Sequence, residues 1–226
     1  MQQLSAKFEE TGFLVIPDAL TEPCCAELDT HVRALDCRGS GTRELLGFDW
    51  ARELARQLRD LPLIKAILGE SRLAVQCTYF AKHSSRNWLV APHQDLSIPV
   101  MERAADARFT GWSEKEGTWF GQPPSDVLSR LVAVRVHLDD NTEGNGPLRV
   151  IPGSHRLGRI AIQQIAETRQ QLGEVPCLVT RRGIVAIRPL LLHASSKSTV
   201  DAPRRVLHFL FGGPDLPAGL RWKHAF

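Results

Sequence analysis

The run WLVAPHQDLSIP, residues 88–99, decides how the chain is read. Its apolar positions and bounding prolines describe a short, extended, buried strand. Two polar groups interrupt it, His93 and Asp95. In a strand, positions i and i+2 share a face, so the imidazole and the carboxylate project together while Gln94 points away. They supply two ligands for a divalent metal. A third from another strand would complete the two-histidine, one-carboxylate face of non-haem Fe(II) oxygenases, which leaves coordination positions open. The competing reading is a hydrogen-bonded pair at a strand end.

Around this run, short strands separated by turns begin at Arg72. The expected strands are 72–81, 88–96, 130–139, 147–151, 175–180, 184–188 and 204–212, punctuated by DDNTEGNGP, IPGSH and GGPDLP. The region before them reads as helical. SAKFEETG is a helix stopped at Gly12, and GFLVIPD is a strand ended by Pro17. Thr21 and Pro23 open a helix that runs to about Leu35. Further helices are expected near 49–59 and 61–68, the last closed by Gly69. The whole predicts a mainly β fold with flanking α-helices: a double-stranded β-helix, or cupin-like jelly-roll barrel. One domain of 226 residues is expected, with 1–70 packed on a barrel formed by 71–212. Segment 101–128 shows little periodicity and reads as a lid loop.

Composition excludes several classes. Apolar residues at 43% and charged residues at 23% match a folded globular chain. The net charge of +3, with basic residues only in short pairs, gives no footprint for nucleic acid. No apolar stretch reaches membrane-spanning length, and MQQLSAKFEETG lacks the apolar core of a signal peptide. Cys24, Cys25, Cys37, Cys77 and Cys177 are odd in number and form no C-x-x-C. Reduced thiols in a cytoplasmic protein are the expectation.

A second H-x-D, His137 and Asp139, precedes an Asn/Gly-rich turn. Turn capping accounts for Asp139 and Asp140 without a metal, while His137 is a candidate for the substrate pocket. The third ligand is sought where the barrel closes. There RRGIVAIRPLLLHASSKS offers His193 after an apolar strand. Arg204 and Arg205 follow, at the head of RRVLHFLFGG. Both strand faces are largely apolar, so at least one arginine needs an anion, and a dicarboxylate would provide it. Alternation leaves the pair open, and a nearby acidic side chain could serve instead.

HQD, NGPLRVIPGSH at 145–155, and RPLLLHASS with an arginine eleven residues past its histidine resemble, in that order, the phytanoyl-CoA dioxygenase family of Fe(II)- and 2-oxoglutarate-dependent oxygenases. FEETGFLVIPDALT resembles the family's opening, and the likeness covers roughly 5–212. It implies a double-stranded β-helix with iron on His93, Asp95 and His193. It places the 2-oxoglutarate carboxylate on Arg204 with Ser195 assisting, and Lys82, Asn87 and Trp88 near the co-substrate. Asp95 departs from halogenating relatives, which carry a small residue there. The implied reaction uses Fe(II), 2-oxoglutarate and O2 to hydroxylate a C–H bond of a small molecule, releasing succinate and CO2. Trp112, Trp119 and Phe120 are candidates for covering the substrate. A cupin-like metal- or ligand-binding protein without oxygenase activity is the alternative.

Overall fold

The computed structural model describes residues 2–35, 41–83 and 87–226; Cys37 lies outside them. The chain starts with helix α1 (Gln2–Thr11), strand β1 (Phe13–Ile16) and helix α2 (Glu22–Arg33). Thr21 caps α2, its hydroxyl accepting from the Cys24 amide, and Pro23 sits in the first turn. Strand β2 (Gly41–Thr42) and helices α3 (Asp49–Asp60) and α4 (Pro62–Leu68) follow. Ala51, Leu54, Ala55 and Leu58 recur at helical spacing, which gives α3 one apolar face to bury.

Next come β3 (Leu73–Lys82), β4 (Val90–His93), β5 (Ile98–Val100), β6 (Thr110–Lys115) and β7 (Thr118–Gln122). Helix α5 (Ser125–Arg130) leads into β8 (Val132–His137) and β9 (Leu148–Val150). Helix α6 (Ile165–Leu172), β10 (Val175–Pro176), β11 (Ile184–Ile187), β12 (His193–Ser195) and β13 (Arg204–Gly212) complete the order. No helix among the described residues is long and apolar enough to cross a membrane.

The strands form three antiparallel sheets, ordered β1-β11-β8-β13-β3-β2, β10-β9-β12-β4 and β5-β7-β6. The fold is thus mainly β with helices on one side, as expected. No ladder of these strands joins the two larger sheets, so the jelly roll is a pair of sheets rather than a closed cylinder.

Alternation sorts the six-stranded sheet into two faces. Val132, Val134 and Val136 of β8 and Leu207, Phe209 and Phe211 of β13 share a core with α1–α4. Ala133 and Leu210, from the opposite face, share a second core with Leu148 and Val150 of the four-stranded sheet. Arg135, His137, Arg204 and His208 therefore belong to the inner face, between the sheets.

Three strand expectations change. Segment 88–96 is not one strand: β4 ends at His93, and Asp95 lies beyond it, its amide donating to the Pro189 carbonyl at 2.9 Å. Segment 175–180 is strand only at Val175–Pro176. Much of 101–128 is regular structure rather than loop. The β6–β7 hairpin turns at Glu116–Gly117, both at positive φ, and β7 pairs with β5. Its polar outer strand TGWSEK hides the alternation that would have announced it.

Candidate metal centre and anion seat

Strand pairing assembles the metal ligands. His193 of β12 stands directly opposite His93 of β4 in the ladder, and their rings lie 4.3 Å apart between centroids. Asp95 reaches both: its Oδ1 is 3.7 Å from His93 Nε2, and its Oδ2 is 3.6 Å from His193 Nε2. One donor atom from each residue lies within 4.8 Å of the others. Donors bound about 2.1 Å from a shared ion sit about 3 Å from each other, so a slight contraction accommodates a metal.

The tautomers suit coordination. His93 Nδ1 lies 2.9 Å from the Ala91 carbonyl and His193 Nδ1 lies 2.9 Å from the Leu191 carbonyl. A carbonyl only accepts, so each Nδ1 carries the proton and each Nε2 offers a lone pair. Burial pushes His193 down to about 4 despite the pull of Asp95, so it is neutral at pH 7. Burial raises the Asp95 carboxyl, but His193, His208, His93 and Arg135 together hold it below the usual range, and it is ionised.

Gln94 fixes the segment between these ligands. Its amide donates to Gly158 O at 2.7 Å and Leu190 O at 2.6 Å, and accepts from Ile160 N at 2.9 Å. These bonds join the ligand segment to the loop ahead of His193.

Two buried cations lie beside the centre. Arg204 stands opposite Lys82 in the β13–β3 ladder. Both donate to Ser195 Oγ at 3.1 Å, Arg204 through Nη2 and Lys82 through Nζ, and Ser195 Oγ donates to Gly146 O at 2.9 Å. Lys82 also donates to Ser196 O at 2.7 Å and lies over the Trp88 ring. Arg204 Nε is buried without a partner among the described residues. Two buried cations thus share one neutral hydroxyl, an arrangement that a carboxylate would complete. Burial and the proximity of Arg135 push Arg204 down to about 9, and burial and Arg204 push Lys82 down to about 8, so both remain charged at neutral pH.

Gly146 makes room for this arrangement. Its φ is +69°, and an added Cβ would stand 2.3 Å from the Ser196 carbonyl oxygen. That is the physical sense of the NG in NGPLRVIPGSH.

Arg205 faces the opposite way. Its backbone amide, Nε and Nη2 donate to the Asp139 carboxylate at 2.8, 2.9 and 2.6 Å, and Nη1 pairs with Asp29 of α2 at 2.9 Å. Asp139 is therefore occupied without a metal, and Asp140 accepts from the Arg181 amide at 2.7 Å. The partners are distant in sequence, not the local turn amides that the Asn/Gly-rich segment suggested.

The remaining candidates divide. Trp88, Phe120, Ser195 and Arg204 line a cavity of about 390 Å³ that contains the metal face. Asn87 does not line it; its amide clamps the backbone of Ser198, donating to O and accepting from N at 2.7 Å each. His137 is fully buried with both ring nitrogens unpartnered, and it does not line the cavity either. Trp112 and Trp119 pack against the inner core instead. Arg135, which does line the cavity, was missed. The signal was present: VAVRVH is an apolar strand interrupted by an arginine, the same anomaly that singled out Arg204 and Arg205.

The sequence matches the phytanoyl-CoA dioxygenase (PhyH) family over residues 8–206. No curated protein matches it. Among solved structures, the non-heme alpha-ketoglutarate-dependent epimerase SnoN from nogalamycin biosynthesis superposes with a TM-score of 0.70 at 17% identity, over 96% of this chain and 90% of that one. EctD from S. alaskensis gives 0.70 at 20% identity over 94% and 77%. HygX from Streptomyces hygroscopicus, with nickel and 2-oxoglutarate bound, gives 0.67 at 18% identity over 94% and 87%. At such identities the superpositions carry the fold, whereas the family match covers most of the chain. The chain belongs to the phytanoyl-CoA dioxygenase family of iron- and 2-oxoglutarate-dependent enzymes.

Proposed function

We propose that this protein is an Fe(II)- and 2-oxoglutarate-dependent hydroxylase of a small-molecule C–H bond. The overall reaction converts R–H, O2 and 2-oxoglutarate into R–OH, succinate and CO2. The observation that carries the reading is the pairing of two features in one cavity: a two-histidine, one-carboxylate face and a buried arginine lacking a counter-anion. A metal-binding protein with no oxygenase activity would have no use for the second feature.

His93 Nε2, His193 Nε2 and the Asp95 carboxylate hold the metal. Iron bound there supplies oxygen activation. Arg204 receives the distal carboxylate of 2-oxoglutarate through its free Nε edge, while Ser195 and Lys82 supply further donors beside it. This orients the co-substrate with its keto acid end toward the metal face. The carboxylate at position 95 fills the place that a halide would need, which favours hydroxylation over halogenation. The β6–β7 hairpin, through Phe120, closes part of the cavity and limits access by water.

The test is aerobic incubation of the Fe(II) protein with 2-oxoglutarate and a panel of small organic molecules. A hydroxylase yields succinate and a product heavier by one oxygen in equal amounts. Succinate with an isomerised or cyclised product would keep the co-substrate assignment and overturn hydroxylation.

A further inference from the structure

The cavity that contains the metal face is lined by more cations than anions. Arg43, Lys115, Arg135 and Arg204 line it, and Asp95 is the sole carboxylate among the described residues that do. Arg43 is answered by Glu116, which accepts from its Nη1 at 2.9 Å. Arg204 has its use in the reading above. Lys115 is exposed to solvent and lies 5.1 Å over the Phe120 ring. Arg135 remains. It is 8% exposed, and its Nε is buried with no partner among the described residues. Its Nη1 donates to His208 Nδ1 at 2.9 Å, and its guanidinium lies 5.8 Å over the Phe80 ring. Both neighbours are neutral, because burial and Arg135 itself push His208 down to about 3. Asp95 acts on Arg135 only through longer-range attraction, and in the reading above that carboxylate belongs to the metal.

Position separates this cation from the co-substrate seat. Arg135 stands opposite His208, four residues along β13 from Arg204. At about 3.3 Å per residue the two arginines leave the sheet roughly 13 Å apart along that strand. One 2-oxoglutarate, running from the metal face to Arg204, needs only the second of them. Leu210 follows His208 along β13 on the side away from Arg204, and Leu131, Ile98 and Phe120 line the same cavity as apolar groups.

We propose that Arg135 is the seat of an oxyanion on the primary substrate, and that this substrate is a small carboxylate whose hydrocarbon part lies against Leu131, Leu210, Ile98 and Phe120. The proposal rests on the co-substrate reading of the previous section. A buried guanidinium without a counter-charge is unfavourable, and its planar fork is shaped to take a carboxylate through two parallel hydrogen bonds. Lys115 adds to the field that draws an anion into the cavity. The cavity, about 390 Å³, stands near the lower end of the range for small-molecule sites and also holds the co-substrate, so the enclosed part of the substrate is small.

The experiment uses the anaerobic Fe(II) protein saturated with 2-oxoglutarate. Straight-chain carboxylates from acetate to octanoate are titrated in, each against its primary amide, with methyl phosphate as a second oxyanion. Heat and the visible charge-transfer band of the Fe(II)–keto acid complex are followed. The tightest acid is expected to bind about tenfold or more better than its amide. Arg135→Gln should remove that preference while changing 2-oxoglutarate affinity by less than about threefold. Arg135→Lys, with the charge but not the fork, should fall between, and it carries the test if Arg135→Gln does not fold. Acid and amide binding alike, neither included, overturns the proposal. So does a preference for methyl phosphate, or a loss in Arg135→Gln that falls on 2-oxoglutarate. Failure of the wild-type protein to bind 2-oxoglutarate is a separate result that sinks the co-substrate reading. The acid–amide comparison is then read by calorimetry on metal-free Arg204→Met protein, where equal binding overturns the role of Arg135.

Discussion

Replacing Arg204 and Arg205 one at a time separates two adjacent arginines with opposite tasks. Arg204→Met keeps an unbranched apolar stem and removes a cation whose only described partner is a neutral hydroxyl, Ser195 Oγ at 3.1 Å. No ion pair among the described residues is lost. In the co-substrate reading, the change deletes the charged donors to a carboxylate, worth about 1.5–3 kcal/mol. The Kd for 2-oxoglutarate should rise by roughly one to two powers of ten. Arg205→Met removes contacts to two largely buried carboxylates, Asp139 and Asp29. Asp29 keeps Arg181 at 2.8 Å, but Asp139 loses its cation, which should destabilise the fold by about 3 kcal/mol and leave 2-oxoglutarate affinity unchanged. Calorimetric titration of 2-oxoglutarate into each anaerobic Fe(II) variant, with urea unfolding alongside, reads both axes. If Arg205→Met loses binding while Arg204→Met loses stability, the assignment of inner and outer strand faces is reversed.

Lys82 makes the seat sensitive to pH. Its folded pKa of about 8 lies below the ordinary 10.5, so between these values the unfolded chain binds more protons. Stability of the ligand-free protein should therefore rise with pH across that window, and Lys82→Met should flatten the rise. Over the same range 2-oxoglutarate binding should weaken in the wild type as the ammonium is lost, and calorimetry in buffers of different ionisation enthalpy should show proton uptake on binding. Gly146→Ala places a Cβ against the Ser196 carbonyl at a positive φ. It should cost about 2–3 kcal/mol in thermal unfolding and, by shifting the strand that carries Ser195, weaken 2-oxoglutarate more than iron.

Much of the site was legible because strand alternation is a strict geometric rule. His93 and Asp95 converge even though the strand stops between them, with Asp95 Oδ1 3.7 Å from His93 Nε2. The choice between Arg204 and Arg205 was not legible from alternation, because both faces of β13 are apolar; one covers helices and the other lines the cavity. Arg135 carries no motif of its own, and the H-x-D beginning two residues on, at His137, is the more conspicuous local pattern. The hairpin at 110–122 was hidden by its exposed, polar outer strand, which has no buried face to impose a period. Tertiary partners such as Asp139 with Arg205 involve residues 66 positions apart, a separation that local turn chemistry does not encode.

The central claim is that His93, Asp95 and His193 hold one Fe(II) which 2-oxoglutarate then chelates. The direct measurement is the visible spectrum of the anaerobic Fe(II) protein as 2-oxoglutarate is added. The account predicts a metal-to-ligand charge-transfer band that saturates at one iron per chain and disappears in His93→Ala and His193→Ala variants of native fold. A protein that binds iron and 2-oxoglutarate yet shows no band, or a band that survives both substitutions, would contradict it.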